Sequence, residues 1–504
     1  MVKIILLLSL VAAAVVRAGE YYRVVDMVNS RAKAHSRDPN WKPDRDQLAL
    51  EVTGIAALDH DAIAIAIRKG EIWILDHATA QDPKSIGYRL FASGLDEPLG
   101  LLRDGDDLLT TQRSELTRLQ DSNQDGFADT YLTINNAWNV SGAYHGYAYG
   151  PVRDGSGNLW VTLNLDMGEH SDNSRPWRGW ALRLSLDGTS VEPMAAGLRS
   201  PCGLATNVAG DVFATDQQGQ WVPTNSLVHL REGAYFGNPD GMAPATLPDS
   251  KVAPLPESID VSGKPYPEAL ALLPKLRAPA VWFPYLKMGQ SRTNLCIDTS
   301  KGQFGPYAGQ FFVGEFTQSK IGRVFLEKVD GEYQGACFPF LEGFPSAVMS
   351  LAFGEEGTLF AGMTNRGWSS IGGGSYGLQR IHWTGKTPFE LLAMRAKPDG
   401  FELEFTREVD PAGAREVTNY HISSYTYPLH ASYGGEEILT EPLEIRQAIV
   451  SKNGRRVRLV TGERRCYFVY ELHYETIRSA SGERPWHDRA YYTLNRVPSP
   501  ETGG

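Results

Sequence analysis

His145 is one of eleven histidines in the 504 residues and stands between Tyr144 and Gly146, just before an apolar run. An imidazole there can take a proton from a hydroxyl near neutral pH; bonded to a backbone carbonyl, it would be purely structural. Arg199 follows Gly197-Leu198 and precedes Ser200-Pro201-Cys202-Gly203. Its planar fork suits a carboxylate or a developing oxyanion, or an ion pair with a neighbouring repeat. Asp216, Arg292, Glu315 and Arg366 sit at comparable places, each just before or after an apolar run. With Tyr144 and Trp368 they are candidates for contact with a substrate or cofactor, although an acid at such a place can also bond backbone amides between repeats.

Asp121-Ser-Asn123-Gln-Asp125-Gly126-Phe-Ala-Asp129 puts acidic or amide oxygens at alternate positions, with glycine where a sharp turn is needed. That is the first half of a calcium loop, since a hard cation is wrapped by hard oxygens. The twelfth position is Leu132 and not glutamate, so a hydrogen-bonded turn without metal stays open. Asp166, Glu169, His170 and Asp172 form a polar loop able to meet a metal or sugar hydroxyls.

The elements that must hold these residues repeat. An apolar strand, a short Asp/Gly/Asn turn and one or two further strands recur six times, as in Ile63-Ala-Ile-Ala-Ile67 followed by Ile72-Trp-Ile-Leu75. Six units of about forty residues predict an all-β, six-bladed β-propeller over 48–385, because radial stacking buries both faces of every sheet. After His382 the texture changes to strict alternation, as in Phe401-Glu-Leu-Glu-Phe-Thr406. Period-two strands over 388–498 predict a small Ig- or fibronectin-like β-sandwich, and 499–504 a disordered tail.

Lys3, the apolar run 4–16 and Val16-Arg17-Ala18 read as a signal peptide over 1–18, so a secreted or periplasmic protein is expected. Residues 19–47 read as an arm packed on the main body. No later apolar run is long enough to span a membrane. A net charge of −10 without a basic block argues against nucleic acid. Cys202, Cys296, Cys337 and Cys466 form no CxxC; a Cys296–Cys337 bridge and buried free thiols are both open.

Tyr144-His145-Gly146, Tyr149-Gly-Pro151, Asp154-Gly-Ser-Gly-Asn-Leu-Trp160, Gly197-Leu-Arg-Ser-Pro-Cys-Gly-Leu204 and Val212-Phe-Ala-Thr-Asp216 resemble the glucose/sorbosone dehydrogenase family. The resemblance covers about residues 50–385. It implies a six-bladed propeller, a small-molecule sugar or glycan as substrate, PQQ and calcium as cofactors, and an external electron acceptor such as a cytochrome. It places His145 on the family's catalytic base and Arg199 on its catalytic arginine. The whole chain is similar to large secreted bacterial propeller proteins often fused to cytochrome c, a module missing here. Phe344-Pro-Ser-Ala-Val-Met349 holds none of the family's arginines, Lys320 matches the family lysine loosely, and Ser200 stands in place of an asparagine.

The expected function is sugar oxidation with His145 as general base. Two alternatives use the same pocket. One is a carbohydrate lyase or dehydratase without PQQ. The other is a non-catalytic carbohydrate-binding propeller with Trp221, Trp282 and Trp368 as stacking surfaces.

Overall fold

The computed structural model describes residues 19–27, 34–35, 49–140, 142–168, 176–256 and 260–500. The leader 1–18, Glu169, His170 and Asp172 lie outside the described residues, as do most of the arm after Met27 and positions 501–504. The fold is all-β. Its strands are rich in Ile, Val, Leu and Ala and are buried on both faces, as in Ala62–Ile67 and Leu159–Leu163, the pattern of sheets packed between other sheets.

Six sheets are each built on an antiparallel meander of four strands. Two of them gain a short parallel edge strand, Ala34–His35 and Ala234–Tyr235. The first strands are Val52–Ala57, Leu102–Asp104, Ala148–Arg153, Gly203–Thr206, Arg292–Ile297 and Val348–Phe353. Each neighbours the next, and the last returns to the first, so they close a ring. Where the first three converge, glycine is required. A Cβ on Gly54 would lie 2.7 Å from the Gly100 carbonyl carbon, and one on Gly100 (φ +135°) 2.3 Å from the Gly150 oxygen. The ring encloses a channel of about 370 Å³ walled by all six first strands.

The last sheet needs the N-terminus. Tyr22–Asp26 pairs antiparallel with Tyr376–Trp383 as its outer strand, so this part of the arm belongs to the sheet ring itself.

Beyond Phe389, the sheet of Leu391–Lys397, Gly400–Phe405, Arg456–Thr461 and Ile445–Val450 faces a second one across a core that includes Phe401, Leu403, Leu459, Tyr470 and Leu472. The second sheet contains His421–Thr426, Phe468–His473 and Arg489–Leu494. It is continuous with the fifth sheet of the ring, because Gly335–Cys337 pair with Tyr491–Thr493. The two parts of the chain therefore share one eight-stranded sheet.

All four cysteines are free. Cys296 and Cys337 lie on the first and fourth strands of the fifth sheet. Three strand spacings separate them, about 14 Å, beyond the reach of a disulfide. Trp282 is 4% exposed and packed against Tyr266 and Tyr427, so it offers no stacking surface.

Candidate active site

The meander fixes one face of the ring as the meeting place of the candidate side chains. Each first strand starts at this face and each second strand returns to it. His145 and Arg199 precede first strands, Arg292 opens one, Asp216 and Glu315 end second strands, and Arg366 follows one. The 121–129 loop joins a third strand to a fourth, which puts it at the opposite face.

His145 is half-buried, with the exposed Tyr144 ring edge-on at 5.2 Å between centroids. Burial first, and then the charges of Arg199, Arg113 and Arg68, push its pKa below 6.5. It is thus a neutral base at neutral pH. Arg113 fixes the loop that carries it: Nη2 donates to the Ala143 carbonyl at 2.6 Å and Nη1 to that of Tyr144 at 3.2 Å. Glu97 joins Arg113 (2.9 Å) to Arg68 (3.0 Å), and both guanidinium carbons lie 5.0 Å from the Tyr147 ring centroid. The two arginines hold the Glu97 carboxyl below its ordinary range against the opposing effect of burial.

Arg199 is held at both ends. The buried Asp216 accepts its backbone N–H at 3.0 Å and that of Ser200 at 2.7 Å. Its Nε donates to Gln220 at 3.0 Å, and its guanidinium lies 5.2 Å from the Tyr433 ring centroid. Gly219 leaves room for it, since a Cβ there would fall 1.7 Å from the Arg199 Nε. Glu315 repeats the device one sheet on, accepting the N–H groups of Gln290 (2.8 Å) and Ser291 (2.5 Å), and of Gln318. Both acids are occupied by the backbone. Burial pushes the Asp216 pKa up to about 6.

Arg366 is bound to Glu51 at 2.7 Å. Trp368 donates Nε1–H to Thr317 at 3.2 Å and keeps 38% of its surface exposed. Both line a narrow cavity of about 30 Å³ above the channel, together with Arg68, Tyr147 and Gln217. Arg292 departs from this group. It is fully buried, with Nη1 on the Val313 carbonyl at 3.1 Å and its guanidinium 4.8 Å from the Phe283 ring centroid. Asp166 is also buried, 3.8 Å from Arg178.

Glu97, Arg68 and Arg113 escaped the reading of the sequence. One signal was present: Gly94-Leu-Asp-Glu97-Pro-Leu-Gly-Leu101 repeats the frame of Gly197-Leu-Arg199-Ser-Pro-Cys-Gly-Leu204. Arg68 and Arg113 stand just after second strands, where Arg366 was sought.

The 121–129 loop is folded by hydrogen bonds from its own amides to its acids. Asp121 accepts the N–H groups of Asp125 (3.0 Å) and Gly126 (2.6 Å), Asn123 that of Asp125 (3.0 Å), and Asp129 those of Ser122 (3.3 Å) and Asn123 (3.2 Å). Among the described residues no group of three or more His, Cys, Asp or Glu converges as a metal cage. PQQ, a tricyclic triacid, does not fit the arginines as they are arranged. The forks of Arg68, Arg113 and Arg366 are occupied by Glu97, Glu51 and backbone carbonyls.

No family model and no curated protein matches the chain. Among solved structures it is similar to a glucose dehydrogenase-type oxidoreductase from Thermus thermophilus, with 18% identity over 71% of this chain and 99% of that one and a TM-score of 0.47. It is similar to the soluble aldose sugar dehydrogenase of Escherichia coli, with 13% identity over 71% and 99% of the chains and a TM-score of 0.46. It is also similar to the PQQ-bound aldose sugar dehydrogenase of Streptomyces coelicolor, with 14% identity over 72% and 98% and a TM-score of 0.45. The functional reading rests on this chain's own residues.

Proposed function

We propose that the six sheets form a six-bladed β-propeller, joined to an Ig- or fibronectin-like sandwich, and that the face carrying His145 and Arg199 is the active site of an exported carbohydrate oxidoreductase. The observation that carries this is the neutral His145 faced by Arg68, Arg113 and the clamped Arg199. His145 accepts the proton of a sugar hydroxyl, and the Arg199 fork stabilises the alkoxide left behind. Exposed Tyr144 and half-exposed Trp368 offer apolar faces to the sugar ring. The C–H hydrogen leaves as hydride with both electrons, to a two-electron acceptor of quinone type that enters from outside, and the carbon becomes a carbonyl.

The occupied arginine forks favour a second reading at the same site. Proton abstraction by His145 without a quinone leads to a lyase or dehydratase acting on an oxidised or uronate sugar.

Dye reduction with a panel of sugars, with and without PQQ and calcium, separates the two. Turnover lost by about two orders of magnitude or more in H145Q supports the oxidoreductase. New ultraviolet absorbance from uronate sugars, lost in the same variant and independent of dye, supports the lyase. Turnover unchanged in H145Q sinks both.

A further inference from the structure

The loop 430–437 belongs to the second domain but lies on the ring face that carries Arg199. Three backbone hydrogen bonds fasten it to the loop 217–224 of the fourth sheet. Trp221 N–H donates to the His430 carbonyl at 3.0 Å, Gly434 N–H to Gly219 at 3.0 Å, and Gly435 N–H to Pro223 at 2.7 Å. Gln220 and Tyr433 form a β-bridge, and Gln220 is also the residue that receives the Arg199 Nε. Gly434 takes φ +69°, and a Cβ there would lie 2.8 Å from the Gln218 side-chain nitrogen, so the loop passes at a distance that only glycine allows.

Tyr433 is therefore placed and not merely present. Its ring lies against the Arg199 guanidinium at 5.2 Å, yet 61% of the residue stays open to solvent. A large ring left this open, on a loop pinned by backbone bonds on both sides, has one face occupied by a cation and the rest available. The C–H face of a sugar ring stacks on such a surface, and the guanidinium behind the ring fixes where that surface lies. Tyr144, 51% exposed beside His145, supplies a second ring on the base's side of the site.

We propose that Tyr433, delivered by the second domain, is a positioning and specificity-determining residue of this site: it holds the Arg199 fork beside His145 and presents its open surface to the sugar ring. The sugar-facing half rests on the proposed function. The Arg199-holding half does not, because it concerns two side chains already in contact. The second domain is on this view a wall of the active site.

The test uses the full chain and the variants Y433A and Y433F. Titration of His145 by NMR reads the hold on Arg199 without any sugar. In the wild type its pKa lies below 6.5, because of burial and because Arg199, Arg113 and Arg68 face it. Y433A should let Arg199 swing away and move the His145 value up, whereas Y433F should leave it in place. Calorimetric titration with the sugar panel reads the second half. Y433A should weaken binding about three- to tenfold, the worth of one aromatic contact, with kcat less affected than KM, and Y433F should restore it. Unchanged His145 titration and unchanged affinity in Y433A would overturn the proposal, as would a Y433F that behaves like Y433A. If the wild type binds no sugar, the proposed function and the sugar-facing role fall together, while the His145 titration still decides whether Tyr433 holds Arg199.

Discussion

The Asp216 carboxylate ties down the backbone of Arg199, accepting its N–H at 3.0 Å from a fully buried position. One side chain thereby sets where the arginine's chain leaves the sheet ring, while the arginine's own charge remains free to act elsewhere. Burial raises the Asp216 pKa to about 6 against an ordinary value of 3.8. A carboxyl raised in the folded state contributes stability that is full below its unfolded value and is lost as pH rises through its folded one.

The wild type should accordingly lose stability relative to D216N as pH rises from about 4 to about 6. The span is at most about 3 kcal/mol, at 1.36 kcal/mol per pKa unit. Thermal melts of both proteins across that window read the difference. Parallel curves would refute the assignment. Since asparagine keeps one acceptor oxygen for the amides, D216N should still fold.

Arg113 acts on His145 through the backbone, by its bonds to the carbonyls of Ala143 and Tyr144. R113M removes both and leaves Glu97 with Arg68 alone. With the worth of one charge-assisted hydrogen bond, about 1.5–3 kcal/mol, felt at His145, a loss of ten- to a hundredfold in kcat/KM is the expected outcome. The His145 pKa should rise at the same time, because a nearby positive charge has gone. A change in activity with no change in that titration would contradict the geometry.

Much of the ring could be read from the chain because its strands are local. Ala62–Ile67 and Glu71–Asp76 are neighbours in sequence and in the sheet, so period and turn residues suffice to find them. The outer strand Tyr22–Asp26 pairs some 350 residues away with Tyr376–Trp383, and nothing local announces such a partner. The site divides in the same way. His145 and Arg199 stood out by type and frame, whereas the Arg68–Glu97–Arg113 cluster is assembled from loops of different sheets. Tyr433 arrives from the second domain. Asp216 and Glu315 carry the residue types of ligands, but their oxygens face amides, a difference of direction that residue type does not encode.

The 121–129 loop stands apart from the chemistry. Its acids are occupied by the loop's own N–H groups, and they lie at the face opposite His145. Adding EGTA should leave sugar binding unchanged, because the loop lies on the opposite face, whereas D121A, which strips two amides of their acceptor, should cost about 1–3 kcal/mol. Weaker sugar binding on chelation would refute this placing, and a fall of several degrees in melting temperature would show that these oxygens also hold a cation.

Tyr22 is where the N-terminus, the ring and the second domain meet. Its ring, fully buried, packs on Phe304 at 5.1 Å, Phe340 at 4.9 Å and Trp486 at 5.7 Å. Its hydroxyl donates to the Phe304 carbonyl at 3.0 Å. Phe304 and Phe340 belong to the fifth sheet's side of the core, Trp486 to the second domain, and Tyr22 itself to the strand that completes the sixth sheet. Y22F removes only the hydroxyl bond and should cost about 1 kcal/mol. Y22A leaves a cavity where three aromatic rings converge and should cost about 3–5 kcal/mol. It should also loosen the five paired residues 22–26, which hydrogen exchange at their amides would register before global unfolding. Equal melting temperatures for Y22A and Y22F would mean that the strand is held by its backbone pairing alone and that the ring contacts contribute nothing to closing the sheet.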